Sequence, residues 1–318
     1  MIEFDEQHSL GYRSDAEIAD YLEYLGDTEE ARTFREAAVR GQGMGDWLAP
    51  PWKQTSHVFG FIDEGSANDD LIAIKPAFHV DADHSLIGQQ IKVTLDAFQV
   101  HSYPGLGTHK ILFDFQGRDQ AGSEAQDLQF ATVLYATDKA RAGMSGVPIF
   151  TGLTVPQDGL SFKVRTGLIG NSGDQIILDT LQSSVFKDGL KLMGTIQPAL
   201  PQLVALAGGI TQNLLKRDWN KQVQSFNLGL DFSNSRTSAR LRRGSYVVVQ
   251  VPGESMWRWN DWAFDPHTMS VVNVNREITP HNTIVFAISA SSGVEARSGI
   301  RNEGRMALDA IETNESGA

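Results

Sequence analysis

Apolar side chains recur at every second position through most of the chain, and this constrains the fold more than any other feature. In "QIKVTLDAF" Ile91, Val93 and Leu95 fall on one side, and Lys92, Thr94 and Asp96 on the other. "HKILFDF" repeats the pattern with Ile111, Phe113 and Phe115, and "SFKVRTGLI" with Phe162, Val164 and Thr166 set against Lys163 and Arg165. "FNLGLDFS" alternates Phe226, Leu228, Leu230 and Phe232 against Asn227, Gly229 and Asp231. Successive side chains of a strand point to opposite faces, so each segment predicts a strand with one buried and one wet face. "YVVVQV" and "NTIVFAIS" add two strands, and turn signals such as "YPGLG", "PQDG", "GNSGD" and "NSRTS" separate the segments. Regular strand–helix alternation is lacking. The expectation is therefore a mainly β fold, an antiparallel β-sandwich over residues 55–290, with Phe113, Leu230 and Val248 on inward faces.

Helical periodicity marks two places. At the N-terminus, Ser14 with Glu17 and Asp27 with Glu30 carry the spacing of capping boxes. Ile18, Leu22 and Leu25 follow the first, and Ala31, Phe34 and Ala38 the second, so residues 1–54 read as a short helical pair and a linker. So short a pair buries its stripe only against the main domain or a partner. A helical insertion is expected over 183–217, from "SSVFKDGLKLM" and "ALPQLVALAGGITQNLLKR". In the second piece Leu203, Val204, Ala207, Ile210, Leu214 and Leu215 form an apolar stripe. Residues 291–318 are polar and aperiodic and read as a loosely ordered tail.

Composition narrows the function classes. A net charge of −12 disfavours general binding to phosphate backbones. The chain holds no cysteine, which excludes disulfides, thiolate metal sites and cysteine nucleophiles. The N-terminal stretch is acidic and does not read as a signal peptide, and no apolar run is long enough to span a bilayer. A soluble, cytoplasmic protein is the expectation.

Five segments hold chemistry-bearing residues. "AFHVDADHS" places His79, Asp81, Asp83 and His84 close together; imidazole and carboxylate suit zinc, iron or manganese, but the polar end of a strand entering a turn needs the same residues. "DEGSANDD" supplies Asp63, Glu64, Asp69 and Asp70, which with Asp81 and Asp83 resemble the acidic loops of a C2-type sandwich. That resemblance implies a calcium site, and a solvated acidic loop is the simpler reading. "SRTSARLRRGS" gathers Arg236, Arg240, Arg242 and Arg243, suited to phosphate, an acidic partner or anionic lipid. In "MWRWNDWAF" Trp257 and Trp259 share a face at strand period, either as an exposed platform or as part of the core.

The fifth segment, "GMSGVPIF", resembles the stretch that carries the nucleophile in chymotrypsin-like serine proteases. The resemblance implies Ser145 as nucleophile, with the backbone N–H groups of Gly143 and Ser145 as an oxyanion hole. None of His57, His79, His101 or His109 follows the Ala-Ala pair usual in that family, and a glycine-rich turn before a strand needs the same residues. No phosphate-cradling glycine loop stands between a strand and a helix.

No complete set of nucleophile, base and orienting acid can be assembled. The expected function is therefore a non-catalytic binding or assembly module without a cofactor. It would act on a protein partner or on itself, through surfaces such as Trp257, Trp259, Arg240, Arg242 and Arg243. Two alternatives stay open. One is a membrane-active effector using the amphipathic segment 199–217. The other is a hydrolase built on Ser145 or on His79, Asp81, Asp83 and His84.

Overall fold

Every alternating segment forms a strand in the computed structural model, which describes residues 6–40, 49–65, 70–119, 126–170, 181, 189–192, 200–215, 221–233 and 238–291. In chain order the strands are β1 (Ser56–Asp63), β2 (Ile72–Ala73), β3 (Lys75–Pro76), β4 (Gln90–Val100), β5 (His109–Asp119), β6 (Gln126–Ala136), β7 (Ala140–Arg141) and β8 (Val147–Thr154). There follow β9 (Leu160–Leu168), β10 (Leu190–Lys191), β11 (Lys221–Asp231), β12 (Ala239–Arg240), β13 (Gly244–Val251), β14 (Ala263–Asp265), β15 (Ser270–Val272) and β16 (Thr283–Ala290). Among the described residues the α-helices are α1 (Asp15–Tyr24), α2 (Thr28–Arg40) and α3 (Leu200–Leu215).

The fold is mainly β, arranged in three sheets. The largest runs β10-β8-β4-β16-β13-β1-β3, with β7 beside β4; the second runs β12-β11-β9-β5-β6; the third runs β15-β14-β2. Pairing is antiparallel except where the two-residue strands β10 and β12 lie parallel to β8 and β11.

Aromatic rings join the two larger sheets. Phe115 of β5 meets Phe150 of β8 and Phe286 of β16, with ring centroids 5.8 and 5.9 Å away. Phe162 of β9 also reaches Phe286, which stacks on Tyr246 of β13. Phe113, Leu230 and Val248 are buried in this cluster, as expected of inward strand faces. β4 departs from strict alternation. Leu95 pairs with Phe286 and Ala97 with Val285, leaving Asp96 as a bulge. Because of that extra residue Leu95, Phe98 and Val100 all join the inner cluster while Ala97 faces outward.

The outer face of the largest sheet is covered too. Val58, Ile62, Val247, Val249 and Val285 pack under Ile72, Phe264 and Trp259. Gly60 makes this approach possible, since a Cβ there would lie 2.6 Å from the Trp259 ring. Burial on both faces is why "YVVVQV" reads as a continuous apolar run.

The N-terminal caps form as their spacing predicts. Ser14 Oγ accepts from the Glu17 amide, Glu17 accepts in return from the Ser14 amide, and Asp27 accepts from the Glu30 amide. Ile18, Leu22, Ala31 and Phe34 are buried in the same cluster as the sheet residues, and Phe34 packs on Trp52 at 5.5 Å. The helical pair thus finds its cover on the sheets.

One expectation needs correction, and two features go beyond local pattern. The apolar run "LIAIKPAF" is divided between two strands, β2 in the third sheet and β3 in the largest. The insertion is not helical throughout, since Leu190 and Lys191 pair with Phe150 and Thr151 of β8 and the described helix begins at Leu200. Strand β6 had no alternating signature, because Phe130 and Leu134 face the inner cluster while Ala131 and Val133 lie under α3. The rest of 183–199, the end of the insertion at 216–217 and the tail from 292 lie outside the described residues, as do Asp69 and Arg236.

Candidate functional site

The acidic loops and the basic patch come together at one rim and answer each other. Arg242 lies 3.5 Å from Asp63 and donates to the backbone carbonyl of Asp81 at 3.2 Å, with its guanidinium over the Phe61 ring. Arg243 lies 3.9 Å from Glu64 and 3.8 Å from Asp83. Lys75 adds a second cation to Asp63 at 2.5 Å. Asp63, Glu64, Asp83, Arg242 and Arg243 line a small pocket of about 160 Å³. Arg240 is buried and paired with Asp231 at 3.1 Å. On this chain the arginines serve as counter-ions to the acidic loops.

His79, Asp81, Asp83 and His84 do not point to a common centre. Asp83 caps a single 3-10 turn by accepting from the Ser85 amide, His84 packs on Phe232, and His79 packs on Phe78. Among the described residues no group of three or more histidine or acidic side chains is placed to hold a metal ion. Asp70 lies apart, paired with Arg276 at 2.6 Å.

Ser145 is exposed in the loop that enters β8. Histidine–aspartate pairs among the described residues are His109 with Asp138, at 2.8 Å, and His267 with Asp70, at 3.7 Å, and there no hydrogen bond joins Ser145 to either. The tryptophans divide. Trp259 is buried over Gly60, while Trp257 and Trp262 are half-buried and stack on each other at 5.0 Å, with His281 against the edge.

Two polar arrangements escaped the sequence reading. The first is a cleft of about 490 Å³ between α1 and the start of β11, lined by Leu10, Arg13, Glu17, Asp20, Tyr21, Tyr24 and Lys221. Arg13, Glu17, Asp20 and Tyr24 follow one another at helical spacing, the signal that could have found it. Lys221, over 200 positions away by number alone, gave none. The acids are already engaged: Glu17 with Ser14, and Asp20 with Arg35 at 2.9 Å. Lys221 sits over the Tyr21 ring, and neither Arg13 nor Lys221 makes an ion pair among the described residues.

The second arrangement lies beneath α3. Asp114 is fully buried and accepts from Arg165 Nε at 2.7 Å, Gln116 at 3.0 Å, Gln129 at 2.6 Å and Thr211 at 3.4 Å. Around it Leu112, Ala131, Val133 and Ile169 meet Ala207, Ile210 and Leu214 of the helix. The alternation that put Asp114 and Arg165 on a wet face is right about the face and wrong about the water.

Buried titratable groups give the molecule a pH dependence of known sign. Burial pushes His57 from 6.5 down to about 4, and burial with the nearby His101 does the same for His281. Between those limits the unfolded chain takes up protons that the folded chain refuses. Stability is therefore present above pH 6.5 and falls as the pH drops towards 4, by up to about 3 kcal/mol per histidine. Glu30 runs the other way: burial and neighbouring Asp27 raise it from 4.5 to about 7, so its contribution is present below 4.5 and lost as the pH rises through 7. Burial lowers His101 as well and raises Asp96, so three histidines oppose two acids, and urea midpoints should fall on acidification from pH 6.5 to 4. His57→Gln should flatten that fall, and Glu30→Gln should raise the midpoint at pH 8. A midpoint that rises on acidification would contradict both assignments.

No family model, no curated protein and no solved structure matches this chain. Among the described residues no helix is long and apolar enough to cross a membrane.

Proposed function

We propose that the chain is a non-catalytic binding and assembly module. In this reading the two larger sheets form an antiparallel sandwich that serves as a rigid frame, and the cleft beside α1 takes an acidic segment of a partner protein. One observation carries the reading: Arg13 and Lys221 line an open cleft beside Tyr21 and the exposed Tyr24, and among the described residues neither makes an ion pair at contact distance, although both add from a distance to the lowering of the Glu17 carboxyl by its Ser14 hydrogen bonds. Tyrosine and arginine are the residue types that most often anchor interfaces. A chain of net charge −12 repels acidic partners over most of its surface, so a cleft in which Arg13 and Lys221 balance Glu17 and Asp20 is a place where they approach with less repulsion.

The test uses a random peptide library displayed against the unmodified protein and against Arg13→Glu with Lys221→Glu. Sequences rich in Asp and Glu with an apolar residue should be selected by the first and lost with the second. A chosen peptide should bind the double variant at least about 10-fold more weakly, the scale of a close charge pair. Tyr24→Ala should weaken it further. Peptides without acidic enrichment, or equal affinity for both proteins, would end this reading.

A further inference from the structure

We propose that α3 is a detachable cover, which lifts as a unit from β5 and β6 while the two larger sheets stay joined. The reason lies in what the helix supplies. Of the four donors to the buried Asp114 carboxylate, three come from the sheet itself: Arg165, Gln116 and Gln129. The helix gives only Thr211, at the longest distance, 3.4 Å. Lifting α3 therefore leaves the ion pair and its amides bonded to one another and returns them to water, which removes the desolvation that burial imposes.

The apolar side of the contact is thin. Among the helix side chains described, Ala207, Ile210 and Leu214 are the buried apolar ones, Val204 and Leu215 are partly covered, and Leu206 is exposed. The sheets, by contrast, are held together by Phe113, Phe115, Phe130, Phe150, Phe162 and Phe286. The helix centre is also its weakest part as a helix. Gly208 and Gly209 adjoin there, and Gly208 is needed because a Cβ would lie 2.8 Å from Gln129 Oε1. Close seating and weak propensity thus come from the same residue. Segments with few buried apolar contacts open below the free energy of global unfolding. Once open, α3 offers its apolar stripe and the sheet offers a polar face bearing Asp114 and Arg165. A binder of either surface shifts the balance towards the open form.

The chain has no cysteine, so a single introduced thiol reports its own site. Ala131→Cys lies under α3, and Val164→Cys lies between the two larger sheets; both positions are fully buried. Labelling by a small disulfide reagent should be on the order of 100-fold faster for Ala131→Cys, at a rate that low urea leaves unchanged. Ile210→Ala in the same background should speed that labelling and leave Val164→Cys unaffected. Equal rates with equal urea dependence would mean that α3 leaves only when the whole fold does, and would overturn the proposal. If either thiol variant fails to fold, native-state hydrogen exchange of the unmodified protein reads the same quantity. Amides of α3 should exchange through an opening with weaker urea dependence than those of β5 and β9, and a shared dependence overturns the proposal equally.

Discussion

Phe115→Ala is expected to lower the free energy of unfolding by about 3–5 kcal/mol, the range for removing a buried aromatic ring. Phe115 is fully buried, and its ring meets those of Phe113, Phe150, Phe162 and Phe286. Those partners come from both larger sheets, so the truncation opens a cavity at the joint between them. Neighbouring rings cannot close it without leaving their own contacts, since interiors are packed like crystals. Urea unfolding followed by tryptophan fluorescence measures the loss. Tyr135→Ala, at a partly exposed site on β6, is the control and should stay within about 1 kcal/mol of the parent. A Phe115→Ala loss no larger than that control would place the joint between the sheets elsewhere.

Asp114→Ala and Arg165→Ala should each cost about 3–5 kcal/mol, because each leaves the other charge buried without its partner. Asp114→Leu combined with Arg165→Met should cost far less than either single change, since an apolar pair restores cover without desolvating a charge. The exposed pair Arg35–Asp20, at 2.9 Å, gives the comparison: breaking it should cost at most about 1 kcal/mol. A ceiling follows from α3. The orphaned charge regains water once the helix lifts, so the single variants cannot lose more than the free energy of that opening. They should populate the open form and label faster at Ala131→Cys. Single losses as small as that of Arg35–Asp20, with no change in thiol labelling, would mean that water already reaches Asp114.

The strands were legible because their cause is local. Period-two alternation follows from the geometry of one strand, and it placed Phe113, Phe115 and Leu230 correctly. The capping box at Ser14 is likewise written within four residues and forms, whereas at Asp27 only the side-chain cap forms, because the Asp27 amide donates to the Leu22 carbonyl. Strand β6 stayed hidden because cover on both faces erases the alternation. The candidate sites show the same limit. The sequence supplied carboxylates at 63–64 and 81–83 and arginines at 242–243. The pairing of β1 with β13, together with the Asp83 amide on the Leu241 carbonyl, brings them to one rim, where each set satisfies the other. Arg13 and Lys221 line one cleft although more than 200 positions separate them, and no local pattern records that. Asp114 carries the sharpest form of the lesson. Strand geometry alone decided which way it points, but whether that face is wet depends on α3, folded from residues nearly a hundred positions away. The direction of a side chain is a property of its own backbone, whereas its solvent is a property of whatever packs above it.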